Sequence, residues 1–248
     1  MIDIKSSKEI DIMRRCGKIT AKILDELTNI CEPGMTGNLI NTLVNKRCAE
    51  LEVTPSFLGY KGYPASICVS INDGIVHCIP NDIKFKVGDL VKLDFGVCLQ
   101  GYHTDSARTI VIGSNSKGQI LADTVKTSLH LAIDQARDNN KVGDISNAIQ
   151  SYIEANGYHI PKAFCGHGIG RQLHMEPEVH NFGKKNTGPV LKKGMTIAIE
   201  PIANLTTPYH KRSKDGWSEF TLDNNLSAHF EHTILITDDL PEILTLSN

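Results

Sequence analysis

Five side chains in this 248-residue sequence could together hold metal ions for hydrolysis. Asp94 interrupts the apolar stretch Val91-Lys92-Leu93-Asp94-Phe95, and Asp is disfavoured in strands. Alternation places Val91, Leu93 and Phe95 on one face and Asp94 with Lys92 on the other. Glu200 ends Ile197-Ala198-Ile199 and is followed by Pro201; a buried lone carboxylate is costly unless paired or metal-bound. Asp105 and Glu231 each precede an apolar run, Ile110-Val111-Ile112 and Ile234-Leu235-Ile236. Taken singly, each acid has an ordinary structural reading, such as solvent exposure or pairing of Asp94 with Lys92. Taken together, a hairpin turning at Gln100-Gly101 brings Asp94 and Asp105 to neighbouring strands. Four carboxylates at one point could not all remain ionised without cations, and two divalent ions would balance them. An oxygen-rich set with one imidazole suits manganese, iron or cobalt better than a thiolate zinc site.

His167 supplies the imidazole. In Cys165-Gly166-His167-Gly168-Ile169-Gly170-Arg171, glycines permit close backbone approach and are expected to leave the ring exposed. The spacing is GxGxG rather than the GxGxxG of a dinucleotide loop. Cys165 stands too near His167 in sequence for a nucleophile–base pair and reads as a small buried residue. His77 and His174 have a chemical reading and a plainer one, as packed or surface histidines. His103, His180, His229 and His232 take the plainer one.

Helices and strands must position these groups. Ser6-Ser7-Lys8-Glu9 is a capping box, followed by Ile10, Met13, Ile23, Leu27 and Ile30 near helical spacing and a stop at Pro33-Gly34. Thr36 caps a second helix with Leu39, Ile40, Leu43, Val44 and Leu51 on one face, ended by Pro55. Strands follow through Ile67, Val69 and Ile71, at Leu90–Phe95, and at Thr109–Ile112. A further helix pair spans Ile120–Arg137 and Ile145–Ala155, with Asp144 as cap and Gly157 as stop. Strands return at Met195–Ile199 and Phe230–Ile236. The order helix, helix, strands thus occurs twice in an α/β (α+β) chain. Gly88 and Gly194 each precede a carboxylate at the same spacing, Asp94 and Glu200. An ancient duplication is inferred, with halves of about 1–113 and 114–248 forming a single domain, 1–248.

Composition excludes several classes. Lys plus Arg number 26 and Asp plus Glu 28, for a net charge of −2, so nothing advertises nucleic acid or a membrane surface. No apolar run approaches the ~20 residues that span a bilayer, and the N-terminus is no secretory signal. Seven scattered cysteines without a CxxC pair fit reduced thiols in the cytoplasm rather than disulfides or a zinc knuckle.

From about Lys8 to Asp238 the chain resembles the type I methionine aminopeptidases of the pita-bread fold. SICVSINDGIVHCIP, KLDFG, GYHTDSART, FCGHGIGRQLHMEP, MTIAIEPIAN, KDGWS and FEHTILIT carry the resemblance. It implies two pseudo-twofold-related halves around a central antiparallel sheet flanked by helices. It implies that Asp94 chelates one metal, that Asp105 and Glu231 bridge two, and that His167 and Glu200 bind the other. Glu200 would also move a proton at the attacking water, His174 would stabilise the developing charge on the substrate carbonyl, and His77 would stand near the scissile nitrogen. The methionine pocket would comprise Phe57, Tyr60, Tyr63, Cys68, His77, Leu173, His174 and Trp217. The implied activity is removal of N-terminal methionine from nascent proteins and peptides with a small second residue.

Three positions depart from the family pattern: Phe57 is larger than usual, Cys78 replaces a glycine, and Lys61 replaces a frequent histidine at the rim. They bear on pocket size and substrate entry. The absence of an N-terminal zinc-binding extension and of large insertions favours the simple, bacterial-like type I form. An X-Pro aminopeptidase of the same fold would carry an extra N-terminal domain, and a non-catalytic peptide- or ribosome-binding relative would have lost metal ligands. The family suggests a monomer. Lys184-Lys185, Lys192-Lys193 and Lys211-Arg212 offer basic contacts for docking on the ribosome, against the plainer reading of a solvated face.

Overall fold

The computed structural model describes residues 2–247. Helix α1 (Ser7–Ile30) starts at the expected box: the Glu9 carboxylate accepts from the Ser6 amide at 2.8 Å and from its hydroxyl at 2.7 Å. Thr36 caps α2 (Gly37–Glu50) by accepting from the Leu39 amide. Ile40, Val44 and Cys48 of α2 are buried, whereas Leu39 is exposed, so the apolar stripe is narrower than its sequence suggests. The helix stops before Pro55, which lies in strand β1 (Thr54–Pro55). Strands β2 (Cys68–Ile71), β3 (Leu90–Leu99) and β4 (Tyr102–Val111) complete a four-stranded antiparallel sheet in which β3 pairs with the other three.

The second half repeats the plan. Helix α3 (Ser116–Ile133) begins four residues before the predicted start, because Asn115 accepts from the Gly118 amide. It also ends four residues early, at Ile133 rather than Arg137. Helix α4 (Val142–Ala155) starts earlier than predicted, and Asp144 lies inside its first turn rather than at the cap, with its carboxylate reaching back to the Lys141 amide at 2.9 Å. Strands β5 (Cys165–Gly168), β6 (Met175–His180), β7 (Thr196–Ile199), β8 (Ile202–Asn204), β9 (His210–Arg212), β10 (Glu219–Thr221), β11 (Ser227–His229), β12 (His232–Leu235) and β13 (Glu242–Ile243) follow. The larger sheet runs β13-β12-β7-β5-β6; β8 pairs with β11 and β9 with β10.

Two apolar layers hold the sheets. α1 and α2 pack Leu24, Ile40 and Val44 against Val91, Leu93 and Phe95, and α3 and α4 pack Val125, Ile145 and Ile149 against Val179, Ile197 and Ile234. Burying such aliphatic side chains contributes about 1.5–3 kcal/mol each. Among the described residues, no helix is long and apolar enough to cross a membrane.

The halves match down to single hydrogen bonds. The Gly88 amide donates to the Ile112 carbonyl at 2.7 Å, and the Gly194 amide donates to that of Ile236 at 2.9 Å. In return, Ile112 donates to Asp89 and Ile236 to Met195, both at 2.9 Å. Gly88 and Gly194 have φ of 95° and 87°, a left-handed backbone that glycine adopts without steric cost. Each turn therefore launches a strand in the same register toward its carboxylate.

Candidate metal centre

Strand register gathers the four carboxylates. Asp94 stands opposite Ala107, and Asp105 opposite Gly96, so both acids share one face of the β3–β4 hairpin. Ala107 also bridges to Glu231 in the other half. Glu231 directly precedes His232, whose partner is Ile199, and Glu200 directly follows Ile199. Glu231 and Glu200 thus sit side by side at the ends of their strands. His167 enters from β5, with Nε2 3.7 Å from Glu200 Oε1. Ligating atoms of Asp105, His167 and Glu231 lie within 4.8 Å of one another.

Local contacts fix these groups. Thr233 Oγ1 accepts from the Asp105 amide at 2.9 Å and donates to the Asp105 carbonyl at 2.8 Å. Ser106 Oγ donates to the Glu231 carbonyl at 2.6 Å. His167 Nδ1 lies 2.9 Å from the Gly168 carbonyl; this bond assigns the proton to Nδ1 and leaves a lone pair on Nε2. Two glycines make the approach of β5 possible. A Cβ on Gly166 would stand 2.3 Å from the Ala198 carbonyl oxygen, and one on Gly168 2.1 Å from that of Glu176. The glycines do not leave the His167 ring exposed, as expected from sequence; the strands close over it and bury it. Asp94 is likewise neither solvent-exposed nor paired with Lys92, whose ammonium donates instead to the carbonyls of Asn72 and Ser227.

The electrostatics are those of a crowded acid cluster. Burial and mutual repulsion push Asp94, Glu200 and Glu231 well above the usual carboxylate range, and burial pushes Asp105 up to about 7. Burial lowers His167 to about 4, so it is a neutral ligand at pH 7. Asp94 Oδ1 and Glu231 Oε1 are buried with no hydrogen-bond partner, although buried acceptors normally have one. These orphaned oxygens, with four carboxylates and one free imidazole nitrogen, fit divalent cations with oxygen and nitrogen ligands.

All predicted site residues line one cavity. Phe57, Tyr60, Tyr63, Cys68, His77, Leu173, His174 and Trp217 form its wall with Lys61, and Asp94, Asp105, His167, Glu200 and Glu231 meet there. Tyr63 meets Trp217 edge-on at 5.1 Å, and Tyr60 stacks on His174 at 5.1 Å. Gly96 admits Phe57, whose ring edge would lie 3.2 Å from a Cβ there. The His174 and His167 rings are 4.1 Å apart. Burial first, and then His167, lower His174 to about 3, so it is a neutral donor or acceptor. His77 stands edge-on to Phe164, with ring centroids 6.2 Å apart, and has a left-handed φ of 58°, a conformation costly for non-glycine residues.

Sequence reasoning missed His229 and Thr233, which share Glu231's face by strand alternation. His229 is buried with Nε2 4.0 Å from Glu231 Oε2, and neither ring nitrogen has a hydrogen-bond partner. The alternation was available as a signal, but nothing in the sequence separated His229 from an ordinary packed histidine. His103 and His232 do have ordinary roles, bonding the hydroxyls of Ser56 and Thr245.

The acid cluster and paired-sheet fold define a metallopeptidase: the chain belongs to metallopeptidase family M24, matched over residues 11–238. Within that family it is similar to the methionine aminopeptidase of Clostridium perfringens, at 43% identity over 99% of both chains. The crystal structure of methionine aminopeptidase from Rickettsia prowazekii matches with a TM-score of 0.97 at 40% identity, covering 99% of this chain and 100% of that one. The prolidase from Pyrococcus furiosus shares the fold at 22% identity, with a TM-score of 0.77, over 99% of this chain and 66% of that one. The fold is therefore the pita-bread fold, and the chain is a divalent-metal hydrolase.

Proposed function

We propose that this enzyme removes N-terminal methionine from peptides and nascent proteins whose second residue is small. The observation that carries the reading is the single cavity in which an aromatic wall meets five ligand-type side chains. Asp94, Asp105, His167, Glu200 and Glu231 would hold two divalent ions, manganese, iron or cobalt. When bound, such ions polarise a carbonyl and lower the pKa of water.

The chain's own groups would do the rest. Tyr60, Tyr63, Leu173 and Trp217 would enclose the methionine side chain, with Cys68 and Phe57 completing the wall; thioether–aromatic contacts are favourable. His174 would donate to the scissile carbonyl oxygen as charge develops there. Its stacking on Tyr60 fixes the ring beforehand, so little reorganisation is needed in the transition state. Glu200 would accept the proton of the attacking water and return it to the departing nitrogen. His77, on the same wall, would orient the scissile amide.

The relatives named methionine aminopeptidase align over nearly the whole chain, which favours this reading over X-Pro cleavage. The reading extends to a cytoplasmic monomer made of one catalytic domain, its halves, about 1–113 and 114–248, descended from a duplication. An accessory contact with the ribosome would fall to exposed cations such as Lys184 and Lys185 and would weaken with salt.

The test is release of free methionine from Met-Ala-Ser by metal-stripped protein, with and without Mn²⁺, Fe²⁺ or Co²⁺, and with Leu-Ala-Ser as control. Metal-dependent release from the methionyl peptide alone is expected. Equal turnover of both peptides would make the enzyme a broader aminopeptidase. Failure on both, in folded and metal-loaded protein, would overturn the proposal.

A further inference from the structure

We propose that Cys165, Glu178 and His180 form a further metal site, for a borderline-soft divalent cation of which Zn²⁺ is the type, separate from the oxygen-rich cluster. The three residues lie on the paired strands β5 and β6. Cys165 is directly opposite His180, and Glu178 is two residues before His180, so alternation puts all three on one face. The Cys165 sulfur, a Glu178 carboxylate oxygen and a His180 ring nitrogen lie within 4.8 Å of one another. His180 Nε2 and Glu178 Oε2 are 3.2 Å apart. His180 Nδ1 is buried and has no hydrogen-bond partner.

The donors differ in kind from those of the acid cluster. Sulfur and imidazole with a single carboxylate select zinc, whereas a carboxylate-rich set favours harder ions. Tetrahedral zinc with bonds of about 2.0–2.3 Å places its ligand atoms roughly 3.3–3.8 Å apart. The observed spread closes to that through rotations of Glu178 and His180, whose side chains are 67% and 45% exposed. The backbone need not move, because the strand register already sets the pair. The exposure leaves a fourth position open to water. Cys165 precedes His167 by two residues on the same face, about 7 Å along the strand, so the further site borders the catalytic cavity without sharing a ligand with it.

The test uses the full chain and metal ions alone. Metal-free protein titrated with Co²⁺ is expected to develop a thiolate-to-cobalt charge-transfer band in the near ultraviolet, which carboxylate and imidazole ligands do not produce. Added Zn²⁺ should bleach that band. Cys165→Ala should abolish it while retaining the weaker visible absorption of cobalt at the oxygen-rich cluster. His180→Ala, a change at a half-exposed residue, should weaken Zn²⁺ binding at this site at least tenfold and lower the zinc content after dialysis by one ion per chain. Absence of the band in the unaltered protein, or its survival in Cys165→Ala, would overturn the proposal, as would unchanged zinc content in His180→Ala. None of these outcomes depends on peptide hydrolysis, so the proposed activity stands or falls separately.

Discussion

Ala107 and Glu231 exchange both backbone hydrogen bonds, at 3.3 and 3.1 Å. Ala107 is at the same time the cross-strand partner of Asp94. One short row of backbone therefore carries Asp94 from the first half and Glu231 from the second into a single cluster. The geometry does not depend on flexible loops: Asp94 and Asp105 lie within long strands, and Glu200 and Glu231 adjoin strand ends. Preorganisation on strands is what a multi-ligand centre requires.

Asp94→Asn tests the cluster in two opposite directions. Removing an outer-shell partner of a metal site typically costs 10–100-fold, so loss of a direct ligand should lower peptide turnover by more than ~100-fold. Without metal the same change removes one charge from a set of mutually repelling buried acids, so the metal-free variant should melt at or above the unaltered protein. Added Mn²⁺ should then raise Tm much less in the variant than in the parent. Thermal melts with and without Mn²⁺ decide it; equal stabilisation of both proteins would remove Asp94 from the ligand set.

His174→Ala should reduce kcat by about 10²–10³-fold, the usual cost of losing one donor to a developing oxyanion. KM for Met-Ala-Ser should change far less, because the methionine wall is formed mainly by other side chains. Steady-state kinetics separate the two parameters. A large rise in KM with unchanged kcat would make His174 a ground-state binding residue instead.

The sequence made legible what depends on period and spacing. The Gln100-Gly101 turn and the run from Gly194 to Glu200 place three of the acids, and the Ser6–Glu9 capping box starts α1 as read. Closure was not legible. Lys92 looks like a salt-bridge partner for Asp94, yet its ammonium bonds backbone carbonyls of Asn72 and Ser227, and Ser227 comes near it only after the halves pack. His167 was expected to be exposed because glycines flank it, but those glycines let neighbouring strands cover the ring. His180 gave no signal alone; its place opposite Cys165 is a fact of strand pairing, and register is set by the whole sheet.

Phe57→Cys tests the cavity wall. Phe57 is buried against Gly96 and belongs to the apolar cluster that includes Cys68 and Leu173. Small changes in a hydrophobic pocket alter discrimination by about 10–200-fold. The variant should raise KM for Met-Ala-Ser by roughly tenfold with kcat little affected, since none of the predicted ligands is touched. Unchanged KM would place Phe57 outside the methionine contact surface.

Glu9 links the first helix to the chain leading into His174, and pH should reveal the link. Its carboxylate accepts from Ser6, from the Tyr102 hydroxyl, and from Arg171 Nη2 at 3.0 Å. The Arg171 guanidinium also lies 4.6 Å from the centre of the Tyr102 ring. These bonds, that of Tyr102 first and those of Ser6 next, hold Glu9 down to about 2, against about 4.3 for an unperturbed Glu. A carboxylate depressed in the folded state stabilises the fold above its unfolded pKa, and that contribution disappears as pH falls through the folded value. The Tm advantage of the unaltered protein over Glu9→Gln should therefore be constant above pH ~5, shrink below pH ~4.3, and approach zero near pH ~2. Calorimetry across that range checks it. An advantage independent of pH would assign the effect of the substitution to altered packing, and the ionised carboxylate would then have no part in bracing the segment that carries His174.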